Sequence, residues 1–334
     1  MTEPVEESSP ASSPTPSAPG LFRFVTEGRQ APGLFVVGWL AAIVGLGLLG
    51  VAVLAAGGSA ASILWLAGLI AVAAGAGLLA GSQTVERQAA GMPYGGPSPV
   101  LVLGLVIVAS QLAGYAVGVP LVLAGVNLPR PVGDLVAVLV QAVAFLGVVR
   151  IVVVAPGALG WSELGLRGDV RTIAAGLISG ALFAGPVILV TTVVGLLAVA
   201  LAGATPPSPL PPTGTGAGLV LHLVAGGVIA PVYEEVLFRG VALGAWLRSV
   251  GPRAAIVRSS LLFVVVHLLF LGGETASEAV AVAFVATVVR LPVAFALGWL
   301  YVRTGTLWAP MGLHMAFNAV LIALGESAVG SPAG

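Results

Sequence analysis

Nine long apolar segments constrain the fold of this chain more than any other feature of its sequence. A helix needs about 20 apolar residues to cross the hydrocarbon core of a bilayer. The runs are too long for strands and do not alternate between apolar and polar residues, so we expect helices. The sequence therefore predicts an all-α polytopic membrane protein of eight or nine transmembrane helices. The segments are residues 33–57, 60–81, 100–126, 133–156, 172–203, 216–247, 254–271, 278–301 and 306–325.

The composition agrees with a membrane protein and excludes several functions. Hydrophobic residues make up 58% of the chain and charged residues 8%, whereas soluble domains carry about 25% charged residues. The lipid bilayer is therefore an expected partner. Formal net charge is zero, and without a basic stripe we expect no nucleic-acid partner. The absence of cysteine excludes disulfides and thiol catalysis. All basic residues are arginine, which points to a GC-rich bacterial source.

The distribution of arginine predicts the orientation in the cell membrane. Cytoplasmic loops of membrane proteins are enriched in basic residues. With a cytoplasmic N-terminus and nine spans, the external side receives only Arg130, and the C-terminus is external. The cytoplasmic side receives ten arginines: Arg23, Arg29, Arg87, Arg150, Arg167, Arg171, Arg248, Arg253, Arg258 and Arg303.

The chain divides into regions of different composition. The first 20 residues are rich in Pro, Ser, Ala and Glu, which is typical of a disordered tail and unlike a signal peptide. Before residue 204 the apolar segments carry almost no ionisable groups in their interiors, and after residue 215 they carry several. The predicted regions are a polar tail and juxtamembrane segment at 1–32, helices of unassigned role at 33–203, a Pro-rich external loop at 204–215, a core at 216–325 and a short tail at 326–334.

Two adjacent glutamates, Glu234 and Glu235, lie inside an apolar segment. A carboxylate in hydrocarbon costs several kcal/mol, so it is rarely placed there without a task. Arg239 follows Glu235 by four residues and shares its helix face, so we expect these two to form a pair. Glu234 has no such cation. We therefore predict that Glu234 is a general base and that Glu235 is a structural anchor.

Two histidines lie in later apolar segments, and each has a partner residue four positions away. His267 follows Phe263 by four residues, and Asn318 follows His314 by four residues. Each pair lies on one helix face. We therefore expect His314 and Asn318 to point together at one developing oxyanion. Counted along the helices, Glu234, His267 and His314 reach a common depth in the membrane.

Two further polar residues stay outside this predicted site. His222 precedes Glu234 by 12 residues, which is about 18 Å and 120° away on one helix. Arg290 lies in the middle of its segment, where it pairs with a carboxylate such as Glu235 or binds a substrate carboxylate. The short amphipathic segment 160–167 is interpreted as an interfacial anchor held by Trp161 and Arg167.

Each polar residue also has a purely structural interpretation. A Glu–Arg pair can clamp a helix, and a buried His or Asn can join two helices. The alternative function is therefore a non-catalytic scaffold, an immunity protein or a transporter. A transporter more often shows interrupted helices in both halves, whereas the polar groups here cluster in the C-terminal third. This clustering favours an enzyme.

The order of these motifs resembles that of the CPBP family of intramembrane proteases. Glu-Glu-x-x-x-Arg at 234–239, Phe-x-x-x-His at 263–267 and His-x-x-x-Asn at 314–318 lie on successive apolar segments. The family includes the type II CAAX prenyl endopeptidases and the Abi immunity proteins. The resemblance implies an endopeptidase that cleaves a membrane-associated peptide or protein, with catalytic helices in the C-terminal third.

The resemblance also implies a role for each residue. Glu234 would activate water, His267 would hold that water, and His314 with Asn318 would stabilise the oxyanion. Arg239 would fix Glu235. Members of the family have been described both as metal-dependent and as glutamic proteases. We expect no cofactor, because the adjacent His-Glu-x-x-His zinc motif is absent. The alternative is zinc held by Glu234, His267 and His314.

Overall fold

The computed structural model describes residues 28–55, 57–269 and 271–330, and the polar stretch 1–27 lies outside them. Within these ranges the chain forms helices and contains no strand. The helices are α1 (Pro32–Leu54), α2 (Ser59–Ala89), α3 (Pro99–Leu123), α4 (Arg130–Val149), α5 (Val170–Leu182), α6 (Ala184–Ala202), α7 (Gly216–His222), α8 (Ala230–Glu235), α9 (Gly244–Leu247), α10 (Pro252–Leu268), α11 (Ala276–Thr304) and α12 (Trp308–Gly330), with π-helices at Arg150–Val154, Leu223–Ile229 and Val236–Leu243.

Eight stretches in the described chain are long and apolar enough to cross a membrane. Three of them combine consecutive helices, namely Arg130–Val154, Val170–Ala202 and Gly216–Leu247. The predicted segment 254–271 corresponds to α10, which has 17 residues and a length of about 25 Å. It is shorter than the others and accounts for the difference between eight and nine. The all-α polytopic architecture is confirmed.

One end of the bundle brings together loops that are distant in sequence. Arg248, which follows α9, contacts Glu163 with an N–O distance of 3.3 Å. Arg167 donates to the carbonyl of Gly305, between α11 and α12, at 2.9 Å. The loops after the π-helix Arg150–Val154, after α9 and after α11 therefore lie at one end. These loops belong to the arginine-rich side that the sequence predicts as cytoplasmic.

The opposite end of the bundle contains the loop 204–215 and the end of α12. Glu326, near the end of α12, accepts hydrogen bonds from the backbone N–H groups of Thr213 and Gly214. The Pro-rich loop 204–215 therefore packs against the end of α12. From residue 160 onward, these contacts agree with the alternation that the nine-segment prediction requires, while the side that faces the cytoplasm stays a prediction.

The segment 160–167, which the sequence predicts as an interfacial anchor, packs into the protein core. Leu164 is fully buried, and its carbonyl accepts a hydrogen bond from the Tyr301 hydroxyl at 3.2 Å. Gly165 has a φ of +98°, and a Cβ there would lie 3.0 Å from the backbone nitrogen of Leu307. A larger residue would therefore be strained. The segment joins the ends of the core helices.

The centre of the bundle is the span Gly216–Leu247. All eight residues of its π-helix Val236–Leu243 are buried, Arg239 among them, so this part of the span lies inside the bundle. Helix α12 packs closely against α5, because a Cβ on Gly180 would collide with the carbonyl of Ala309. This close crossing fixes the position of the helix that carries His314.

Candidate active site

The two glutamates lie between two π-helices of one span. The α-helical turn Ala230–Glu235 separates the π-helices Leu223–Ile229 and Val236–Leu243. π-Helical segments are rare and occur frequently at functional sites. Pro231 lies in the first turn after the upstream π-helix, and its missing N–H leaves one backbone carbonyl without its helical partner. The irregular backbone is therefore concentrated around Glu234 and Glu235.

Glu235 and Arg239 form a fully buried ion pair. The Arg239 Nη1 atom donates to Glu235 Oε1 at 2.8 Å, and both side chains have an exposed fraction of 0%. Arg239 Nη2 also donates to the carbonyl of Ala294 on α11 at 3.2 Å, and its guanidinium lies 4.6 Å from the ring centre of Phe263. Burying an unpaired charge would be costly, so each of these two groups needs the other.

His314 lies between the two glutamates. Its Nδ1 atom is 2.8 Å from Glu235 Oε1, and its Nε2 atom is 3.7 Å from Glu234 Oε2. The bond to Glu235 requires a proton on Nδ1 and so orients the ring with Nε2 facing Glu234. Glu234 has an exposed fraction of 16% and Glu235 of 0%. The glutamate that faces Nε2 is therefore the accessible one.

His267 approaches the same place from α10. Its Nδ1–H donates to the backbone carbonyl of Phe263 at 2.7 Å, which leaves Nε2 for other partners. The Phe263 ring lies 4.5 Å from the His267 ring and 5.8 Å from the His314 ring, centre to centre. His267 also lies within electrostatic range of Glu234 and His314. Phe263 thus packs between both imidazoles and Arg239.

Asn318 makes a contact that the sequence does not predict. Its side-chain Nδ2 donates to the carbonyl of Gly226, in the π-helix Leu223–Ile229, at 2.8 Å. One of its two amide N–H groups is therefore used to join α12 to the central span. The second N–H and the amide oxygen remain available for chemistry.

Arg290 has a different partner from the one suggested by the sequence. Its guanidinium donates to the carbonyl of Ala286 on its own helix at 3.0 Å, whereas Glu235 is bound by Arg239 and His314. Arg290 lies within electrostatic range of Glu234. It therefore contributes positive potential near the accessible glutamate without a direct ion pair.

The zinc alternative receives no geometric support from these positions. Across residues 28–55, 57–269 and 271–330, no group of three His, Asp or Glu side chains is arranged to hold a metal ion. We therefore derive no step of the reaction through a metal. Whether the protein needs one stays a prediction to be tested.

A second polar cluster includes the histidine that the sequence analysis left out. His222 Nδ1 lies 2.9 Å from Glu326 Oε1, and His222 Nε2 lies 3.2 Å from Asp134 Oδ2. A signal was present in the sequence, because Asp134, His222 and Glu326 all lie close to the predicted external side of their segments. The sequence analysis used only the distance between His222 and Glu234 along one helix. That distance does not predict contacts between His222 and residues on other helices.

These observations define a polytopic membrane protein with a buried Glu–His–Arg site in its C-terminal core. Residues 216–320 match a protein-family model described as "Rce1-like: Type II CAAX prenyl endopeptidase Rce1-like". The match confirms, for this part of the chain, the resemblance to the CPBP family of intramembrane proteases, and its range includes Glu234, His267, His314 and Asn318. No curated protein and no solved structure matches the chain.

Proposed function

We propose that this protein is an intramembrane endopeptidase that hydrolyses a peptide bond of a membrane-associated substrate with water activated by Glu234. The observation that carries the proposal is the different surroundings of the two neighbouring carboxylates. Glu235 is fully buried and bound to Arg239 and His314, whereas Glu234 is partly exposed and faces His314 Nε2 at 3.7 Å. The similarity of residues 216–320 to CAAX-type endopeptidases supports the same class of reaction.

The proposed first step is attack by water on the peptide carbonyl. Glu234 accepts a proton from a water molecule, and the water oxygen forms a bond to the carbonyl carbon. His267 Nε2, which is left free by the Nδ1–H bond to Phe263, accepts the second water hydrogen and orients the nucleophile. The product of this step is a tetrahedral intermediate with a negative oxygen.

The proposed second step is collapse of that intermediate. In this proposed step His314 Nδ1–H stays bonded to Glu235, and the Nε2 side of the ring, which faces Glu234, donates a hydrogen bond to the oxyanion. The remaining amide N–H of Asn318 is the second donor. As the C–N bond breaks, Glu234 returns its proton to the leaving amine. One water and one peptide bond therefore give one carboxyl and one amino terminus.

The location of the site restricts the substrate. Glu234 precedes Leu247, the end of its span, by 13 residues, which is about 20 Å along a helix. A peptide must enter the membrane region to reach this depth. We propose a cell-membrane protein with a cytoplasmic N-terminus, and a substrate held at or in the bilayer by an apolar segment or a lipid group.

A non-catalytic role is the second candidate, and specific contacts favour it. Glu235 with Arg239 joins the central span to α11 through Ala294, and Asn318 joins α12 to Gly226. Polar side chains in a membrane bundle can act solely as such interhelical contacts. In a scaffold, immunity protein or transporter, these contacts would persist without any hydrolysis.

Hydrolysis of membrane-anchored peptides distinguishes the two candidates. The purified protein is reconstituted in vesicles with fluorogenic peptides that carry either a transmembrane segment or a lipid anchor. Wild type and Glu274→Gln, an exposed glutamate outside the site, should cleave, and Glu234→Gln should not. Equal turnover by Glu234→Gln, or no turnover of any anchored peptide by wild type, would contradict the proposal.

A further inference from the structure

A groove lies between α1, α2 and α3, and none of the predicted site residues lines it. Its volume is about 810 Å³, and pockets that bind small ligands typically measure roughly 300–1,000 Å³. The loop between α2 and α3 lies at one end of the groove, where Gln88 from the end of α2 donates to the carbonyl of Pro156 at 2.9 Å. The groove therefore begins at the end of the bundle that holds the arginine-rich loops.

The polar residues that line the groove all lie at this end. One precedes α1, three belong to the last two turns of α2, and one directly precedes α3. They are Arg29, Gln83, Glu86, Arg87 and Ser98. Beyond them the walls are apolar, and the lining continues along α3 as far as Val108, which is about 15 Å from Ser98 along the helix. The groove therefore has a short polar end and a long apolar body.

Arg29 and Glu86 neutralise each other at the polar end. Arg29 Nη1 donates to both oxygens of Glu86, at 2.9 Å and 3.0 Å, and Ser82 Oγ donates to the first of them at 3.1 Å. Glu86 is the one acidic side chain among the described residues of the lining, so both of its oxygens are already bonded. Two arginines and one glutamate line the groove, which leaves one excess positive charge, that of Arg87.

The hydrogen-bonding capacity that remains at the polar end is dominated by donors. Arg87 Nη1 donates to the carbonyl of Gly96 at 2.7 Å, and no carboxylate in the described part of the chain pairs with its other N–H groups. The amide oxygen of Gln83 accepts from the backbone N–H of Ser98 at 2.7 Å, so the amide N–H groups of Gln83 are left to donate. A ligand at this end must therefore supply negative charge and hydrogen-bond acceptors.

Helix α3 separates the groove from the protein core. Val102 and Val106 are fully buried and belong to the same apolar cluster as Val236 of the central span. On the groove side, a Cβ added to Gly104 would meet no neighbouring heavy atom within 4 Å, so this glycine leaves open space beside the helix. Trp39 lines the groove from α1 with an exposed fraction of 49%. The groove thus opens towards the bilayer and not towards the core.

We propose that this groove binds one anionic phospholipid from the bilayer leaflet at the arginine-rich end. Its phosphate accepts hydrogen bonds from Arg87, Gln83 and Ser98, and one acyl chain lies along α3 past Gly104. The planar N–H groups of arginine match phosphate oxygens, and basic pockets between transmembrane helices bind anionic head groups. The inference does not depend on the proposed hydrolysis, because the groove lies outside the catalytic residues.

The shape and charge of the groove distinguish between possible occupants. A soluble phosphate would fill the polar end but not the apolar body. A purely apolar chain would leave the donors of Arg87 and Gln83 without acceptors, which is unfavourable away from water. A zwitterionic lipid would bring a cation of its own next to Arg87. An anionic phospholipid satisfies both the polar end and the apolar body without adding positive charge.

Native mass spectrometry of the full-length protein in detergent measures the bound lipid directly. The protein is titrated with dioleoyl phosphatidylglycerol, which is anionic, or with dioleoyl phosphatidylcholine, which is zwitterionic and has the same acyl chains. Wild type should bind one phosphatidylglycerol molecule about fivefold more tightly than phosphatidylcholine, because one arginine near an anionic head group contributes a factor of about five.

Arg87→Gln tests the polar end of the groove. The variant loses the excess positive charge and keeps an amide that can donate to the carbonyl of Gly96. It should bind phosphatidylglycerol about fivefold more weakly than wild type and bind phosphatidylcholine almost as wild type does. The control is Arg171→Gln, which removes an exposed arginine of α5 outside the groove. Unchanged binding by this control separates a specific site from general attraction between anionic lipid and basic protein.

Gly104→Phe tests the apolar body of the groove. The ring would occupy the open space where the acyl chain is proposed to lie, and excluding only two methylene groups corresponds to about tenfold in affinity. Phosphatidylglycerol should therefore bind about tenfold more weakly or worse. The control is Gly114→Phe on the same helix, because Gly114 is exposed, has equally open space at its Cβ position and does not line the groove. It should bind as wild type.

Four results would overturn the inference. The first is equal affinity of wild type for the two lipids, and the second is wild-type affinity for phosphatidylglycerol in a folded Arg87→Gln or Gly104→Phe. The third is displacement of phosphatidylglycerol by an equal concentration of glycerol 3-phosphate, which would indicate a site for soluble phosphate. The fourth is a dimer that Gly104→Phe dissociates and Gly114→Phe does not, which would assign the groove to a second copy of the chain. Thermal unfolding shows which variants fold, and either groove variant decides alone if the other does not.

Discussion

The Nε2 atom of His314 lies 3.7 Å from Glu234 Oε2, on the opposite side of the ring from the bond to Glu235. Two glutamates that are adjacent in sequence therefore contact opposite nitrogens of one imidazole. One carboxylate is buried and neutralised by Arg239, and the other is accessible. We therefore expect the change from Glu to Gln to have different effects at Glu234 and at Glu235.

Glu234→Gln should abolish hydrolysis and leave the fold intact. The amide keeps the shape of the side chain but cannot take a proton from water. Glu234 is partly exposed, and no arginine in the described part of the chain forms an ion pair with it, so its neutralisation leaves no buried arginine without its counter-charge. Thermal unfolding of the purified variant should match that of wild type while anchored-peptide cleavage falls to the background rate.

Glu235→Gln should instead lower the free energy of unfolding. Arg239 is fully buried and loses its counter-charge, and an unpaired buried charge can cost several kcal/mol. The measurement is the unfolding midpoint in detergent, with Glu163→Gln as the control because its ion pair with Arg248 is partly exposed. A well-folded but inactive Glu235→Gln together with an active Glu234→Gln would show that the roles are reversed.

Asn318→Ala should lower kcat by about a hundredfold, as loss of one oxyanion donor typically does, with little change in KM. The structure adds a second effect, since the variant also loses the bond to the Gly226 carbonyl. The control is Ser327→Ala, which changes an exposed residue on the same helix. A drop in stability without any drop in kcat would assign Asn318 to helix joining alone.

The positions of the helices could be predicted from the sequence to a large extent. The lengths of the apolar segments predicted where the spans lie, and the four-residue spacing correctly predicted the pair of Glu235 and Arg239. The spacing could not predict which atoms face which helix. His314 binds Glu235 through Nδ1, and Asn318 binds a π-helical carbonyl, because neighbouring helices supply partners that a single-helix pattern does not contain. His222 was set aside for the same reason, since its partners come from α4 and α12.

Arg167 and Arg248 should lie on the same side of the membrane, with Arg130 on the other. The structure brings the loops of the first two together through Glu163 and Gly305, and basic residues favour the cytoplasm. Reporter fusions after each position test the orientation. A cytoplasmic signal after Arg130, or opposite signals after Arg167 and Arg248, would contradict it.

Purified protein should contain no stoichiometric zinc, and its hydrolysis should survive strong chelators. Asparagine is a poor zinc ligand but a good oxyanion donor, and Asn318 lies one turn from His314 on the helix that faces Glu234. The Nδ1 atom of His314 is bonded to Glu235, which leaves Nε2 able either to bind zinc or to donate to an oxyanion. The metal content must therefore be measured. Elemental analysis of wild type, Glu234→Gln and His267→Ala is compared with their turnover. One zinc per chain in wild type, lost together with activity in His267→Ala, would defeat the metal-free reaction and favour a metalloprotease that uses Glu234, His267 and His314.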